Sequence, residues 1–155
     1  MDATIAFNGG GRRFVDDVLH SMAAEQITKT ITEEELAKNT KGLIEFSQHV
    51  LRSKPFDLRV SGHGYKWWHE MLSIDQLTTL NKANSPLLIV QGGNDLSAGP
   101  EKVDELITAL RDSRKTNIDY LRSTELDHYF KDAVGLSQRK AVIVDMRAWL
   151  VEKLN

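Results

Sequence analysis

The chain has 155 residues, 27% charged and 41% hydrophobic, with a net charge of −2 and no cysteine. That length suits one domain with a sizeable core, and the missing cysteine excludes disulfides, thiolate metal sites and a cysteine nucleophile together. The near-balanced charge gives no electrostatic ground for nucleic acid or an anionic membrane as partner, and no apolar run approaches the ~20 residues that span a bilayer.

The start of the chain, Met1 to Phe7, has neither the basic region nor the long apolar core of a signal peptide. The expectation is therefore a cytoplasmic protein. Thr4–Phe7 is a short apolar run ended by Asn8 and three glycines, Gly9, Gly10 and Gly11, which reads as a buried strand feeding a tight turn. Val15, Val18, Leu19 and Met22 then recur at helical spacing. Thr32 with Glu35 three places on is a capping-box start for a second helix, whose apolar side is Leu36, Leu43, Ile44, Val50 and Leu51 and which Gly42 is placed to break. Residues 53–64, with Pro55, Gly62 and Gly64, read as loop. Tyr65–Leu72 is an aromatic-rich short helix, and Ile74, Leu77 and Leu80 continue its spacing.

Pro86–Gln91 is the strongest strand signal, an apolar run broken at Gly92-Gly93 that delivers an acid, Asp95. A helix over Pro100–Asp112 follows, with Pro100 suited to its first turn and Val103, Leu106, Ile107 and Leu110 on one face. Asn117–Arg122 is the third strand, and the loop beyond it carries His128. A last helix over Ser137–Lys153 presents Val142, Met146, Trp149 and Leu150. Three strands separated by helices imply an α/β layer with a three-stranded parallel sheet. The expected organisation is a single domain: first strand and turn (1–11), helical excursion (12–84), then strand-helix-strand-helix (85–155). An ordinary crossover needs one helix, so so long an excursion reads as a cap over the carboxyl-end cleft, where open α/β sheets bind ligands.

The chemistry follows from two strand ends. A histidine that takes a nucleophile's proton and returns it to the leaving group needs a carboxylate to hold its tautomer. Strand-end loops converge such groups because a rigid sheet anchors them. Asp95 then His128 is the chain order of the second and third triad members in α/β-hydrolases, and Gly92-Gly93 permits a sharp turn that lets Asp95 face the His128 loop.

The stretch Ser85–Asp95, the helix after it and Leu126-Asp127-His128-Tyr129-Phe130 resemble the carboxyl-terminal part of the α/β-hydrolase superfamily, in the flavour of dienelactone-hydrolase-like or prolyl-oligopeptidase-like esterases. Ile5 to Phe14 is similar to that family's sixth strand and the turn into its cap. The resemblance implies a partial α/β-hydrolase fold with Asp95 as triad acid, His128 as triad base, a small ester as substrate and no cofactor. The family's nucleophile elbow, G-x-S-x-G, occurs nowhere in this sequence. The chain is thus expected to be the carboxyl-terminal portion of a serine ester hydrolase, inactive alone, its nucleophile absent.

Other residues weigh against the pair. Ser61 has small neighbours but lies in the excursion, without the elbow glycine before it. Ser97 is near Asp95 and reads as a loop serine, and Asp127 reads as a loop-fixing neighbour of His128. His63, His69 and Glu70 lack the i, i+4 spacing of a helical metal site, so no metal is expected. Trp67 and Trp68 read as packing residues. The glycine run 9–11 would suit a phosphate-cradling module, but Phe14 stands where the dinucleotide pattern needs glycine.

A first strand with one neighbour leaves an open apolar edge that invites pairing with another chain. The sequence therefore implies a homo-oligomer through that strand or its adjacent helices, or a partner amino-terminal half. A non-catalytic dimerising or partner-binding module is the alternative function.

Overall fold

The computed structural model describes residues 2–154. Strands β1 (Thr4–Phe7), β2 (Leu87–Gly92) and β3 (Ile118–Ser123) form one parallel sheet in the order β1-β2-β3. Thr4 pairs in register with Leu87, and Leu87 with Ile118. β2 is buried along its whole length because it is central and covered on both faces, which is why its sequence is a continuous apolar run rather than an alternation.

Helices α1 (Phe14–Ile27), α2 (Glu33–Arg52), α3 (Tyr65–Ser73) and α4 (Gln76–Lys82) fill the long excursion; α5 (Pro100–Asp112) joins β2 to β3, and α6 (Arg139–Leu154) ends the described chain. The alternation of β2 assigns the two faces. Leu87 and Ile89 pack against Val103 and Ile107 of α5, with Leu80 of α4 and Ala6 alongside. Leu88 and Val90 pack against Val142 of α6 and Phe130, with Met146 and Trp149 alongside. A third cluster, Val50, Trp68 and Leu72 with Phe14 and Phe46, belongs to α1–α3 themselves. Trp68 donates its indole N–H to the Val60 carbonyl at 3.1 Å, so this aromatic group ties loop to helix.

Two local expectations are corrected. α2 runs unbroken through Gly42, which sits in open space on an exposed face. Its Thr32–Glu35 capping box is formed in both directions, and the helix has enough neighbouring turns to absorb one glycine at ~1 kcal/mol. The continuous spacing read from Tyr65 to Leu80 is in fact two helices. The chain leaves helical geometry at Ile74, and Asp75 caps the second helix, while Arg12 and Arg13 hold its carboxylate at 2.7 and 3.1 Å. Those arginines lie in the turn after β1, a tertiary partner that local spacing does not show.

Candidate active site

Asp95 and His128 meet. Asp95 leaves the end of β2 and is 1% exposed; His128 sits in the loop after β3. His128 Nδ1 donates to Asp95 Oδ2 at 2.9 Å. The other carboxylate oxygen, Oδ1, accepts the backbone N–H groups of Ser97 and Ala98 at 2.8 and 2.9 Å. A fourth donor is the Gln91 side chain, whose Nε2 lies 3.0 Å from Asp95 Oδ2. That amide is fully buried, and its Nε2 also faces the carbonyls of Gly92 and Ala98. Three acceptors on one side fix the amide's orientation, since a flip would aim its oxygen at three oxygens.

With Nδ1 committed to Asp95, the imidazole offers Nε2 as its free nitrogen, and no described residue bonds to it. The ring is about a third exposed and lines a cavity of about 500 Å³. Phe7, Phe130, Val142, Ile143 and Met146 supply its apolar wall and Asn8 and Arg139 its polar groups. The Arg139 guanidinium is held by donating from Nε to the Tyr129 carbonyl at 2.9 Å. A part-exposed imidazole lining an apolar cavity of this size is an arrangement suited to small-molecule chemistry.

The supporting backbone is built from residues that the sequence reading did not single out. Asn8 occupies the left-handed region (φ 46°) at the end of β1. Its Nδ2 donates to the His128 carbonyl, and its Oδ1 accepts the Gly92 N–H at 3.0 Å. One side chain thereby fixes the end of β2 to the His128 loop. His20 on α1 donates from Nε2 to the Asp95 carbonyl at 2.9 Å, bracing the acid's backbone from the helical layer. The one local signal for Gln91 was a polar residue closing an otherwise apolar buried strand. Asn8 and His20 had none, because their partners lie 120 and 75 residues away.

The glycines at the end of β2 do more than permit the turn that follows at Gly93-Asn94. Neither has a positive φ. A Cβ on Gly92 would lie 2.6 Å from the Asp127 carbonyl oxygen, and one on Gly93 2.5 Å from that of Thr124. The His128 loop crosses directly over them, and only glycine admits so close a backbone approach.

The rival residues fall elsewhere. Asp127 accepts the N–H groups of Tyr129 and Lys131, both at 2.8 Å, and so shapes the His128 loop without bonding to the ring. Ser97 contributes its backbone N–H to Asp95. Ser61 stands at φ 48° in the exposed turn bridged by Val60 and His63. His63 stacks on Trp67 and His69 on Tyr65. In the glycine turn, the Gly11 N–H donates to Asp17 Oδ1 at 3.1 Å. A carboxylate, its pKa pushed up by burial, thus takes a donor that a phosphate cradle would use.

The chain matches no protein-family model, no curated protein and no solved structure. The functional reading therefore rests on the geometry above.

Proposed function

We propose that this chain supplies the acid and base of a serine-hydrolase-type acyl-transfer site. The observation that carries the proposal is the Asp95 Oδ2–His128 Nδ1 contact at 2.9 Å, with the part-exposed imidazole lining an apolar cavity. In the proposed reaction a serine on a polypeptide segment other than these residues attacks the ester carbonyl. His128 Nε2 takes the serine proton as the tetrahedral intermediate forms and gives it to the leaving alcohol. Asp95 holds the ring and stabilises the imidazolium. Water repeats the cycle on the acyl-enzyme and releases the carboxylic acid. No G-x-S-x-G lies in the sequence, so this chain alone does not complete that cycle.

Nitrogen-15 NMR of the imidazole tests the arrangement. Neutral His128 should carry its proton on Nδ1, and Asp95→Asn should move the population toward Nε2–H, because an amide oriented by its neighbours no longer demands an Nδ1 donor. An Nε2–H tautomer in the wild type would sink the reading. The isolated chain should also hydrolyse short-chain aryl esters no faster than His128→Ala. A wild-type rate well above background that His128→Ala leaves unchanged would count equally against it.

The second reading, a non-catalytic dimerising module on the same architecture, is favoured by the open edge of β1. It predicts no reaction with a fluorophosphonate probe under any pairing of the chain with other polypeptides.

A further inference from the structure

The chain exposes 10102 Å². A folded monomer of its 17.5 kDa mass exposes ~7,900 Å² on the usual surface-to-mass scaling, so about 2,200 Å² per chain is in excess. Two copies that each hid this much would bury an area in the range of obligate dimers, roughly 2,000–5,000 Å². A small ligand cannot cover so much.

The excess has an identifiable place. Among the described residues no strand pairs with the outer edge of β1. Phe7 on that edge is 61% exposed, and beside it, lining the same cavity, Ile143 of α6 is exposed too. α6 packs on the sheet through Val142, Met146 and Trp149, and on its outward side Val144 and Val151 are exposed among charged residues.

The backbone of β1 sets the register that a pairing strand would take. The N–H groups of Thr4 and Asn8 donate inward, to the Pro86 and Val90 carbonyls. By the alternation of a parallel ladder, those of Ile5 and Phe7 point outward. The geometry points to a second copy of this chain, paired antiparallel β1 to β1 about a twofold axis through Ala6. In that register Ile5 opposes Phe7 of the partner copy as a hydrogen-bonded pair, and the symmetry repeats the pair on the other side. Ala6 meets its own copy as a non-hydrogen-bonded pair, where strands come closest, ~4.5 Å between Cα atoms, and where a methyl group fits. Each Phe7–Ile5 contact is an aromatic–β-branched cross-strand pair on the α6 face. The result is one six-stranded sheet from two three-stranded ones, with the cavity at His128 closed by the partner. A segment bringing a nucleophile to His128 would compete for this edge. The dimer itself does not depend on the acid–base reading.

Light scattering coupled to size exclusion, on the full chain from about 1 to 100 μM, tests the pairing, with a mass near 35 kDa expected, twice that of one chain. Phe7→Pro removes an outward N–H and no inward one, so it should give a folded monomer by circular dichroism; Phe7→Lys, which leaves the backbone intact, should do the same. Ala6→Cys, introduced into a chain with no native cysteine, should oxidise to a covalent dimer, since the expected Cα separation suits a disulfide. Thr4→Cys should not. A wild-type monomer throughout that range, a dimer unaffected by Phe7→Lys, or no cross-link through Ala6→Cys would each overturn the inference. The His128 tautomer, read on the wild-type chain, reports separately on the acid–base pair.

Discussion

At the scale of single residues, the candidate site is a carboxylate and an imidazole held together by neighbouring side chains and backbone groups. Asp95 and His128 were legible in the sequence because each follows a strand and because their order and spacing fit a known division of labour. Gln91, Asn8 and His20 were not, because their contacts are set by the folded sheet edge rather than by any local pattern. Gly92 was legible as a residue that permits the turn after β2, but its close-approach role was not. Its role is to let the Asp127 carbonyl pass where a Cβ would lie at 2.6 Å, a backbone partner with no flexible side chain to yield. Gly92→Ala should therefore lift the His128 loop from β2 and cost about 2–4 kcal/mol of stability, in the range of overpacking and of a broken buried hydrogen bond together. Chemical denaturation would measure the loss. NMR of the variant should show His128 no longer bonded to Asp95, and an unchanged imidazole would mean that the loop absorbs the methyl group.

Among elements, boundaries followed the sequence where the determinants were local. The capping box of α2 and the proline at the first turn of α5 set their helices' starts, and all four apolar residues assigned to the α5 face are buried. The break between α3 and α4 was missed because Asp75 owes its position to Arg12 and Arg13, 63 and 62 residues earlier. These arginines, the nearer one in a two-pronged contact at 3.0 and 2.7 Å, hold the Asp75 carboxyl well below the usual carboxylate range. A depressed folded-state pKa means the unfolded chain takes up the proton first. The stabilisation is then fully present above the ordinary Asp pKa of about 3.9 and is lost as pH falls through the lowered folded value. Asp75→Asn keeps a good N-cap for α4 while deleting the charge. Its melting temperature should lie below wild type at pH 7, with the gap narrowing as pH drops below about 4. A gap of the same size at pH 7 and pH 2.5 would assign the effect to capping geometry instead.

For the molecule as a whole, the sequence showed the parallel three-stranded layer and the open first strand, because strand number and order follow from apolar runs and connection lengths. It did not show how much surface would remain uncovered. Burial of roughly 60% of the unfolded chain's surface is the fraction of a 60-residue domain, where a 150-residue one hides nearer 70%. Conformational entropy, by contrast, must be overcome for all 155 residues. A lone copy accordingly buries less surface than its size implies, and the pairing proposed through β1 and α6 would make up the difference when a second copy is present. Folding would then be linked to association, and stability would rise with concentration by mass action. A hundredfold increase in chain concentration favours the dimer by about 2.7 kcal/mol, which for a unit of this size corresponds to a rise of roughly 3–6 °C in melting temperature. Phe7→Lys should melt lower than wild type at every concentration and lose the dependence altogether. Calorimetry at two concentrations a hundredfold apart distinguishes the cases: a wild-type transition that does not move would place the needed burial within one chain and remove the reason for the pair.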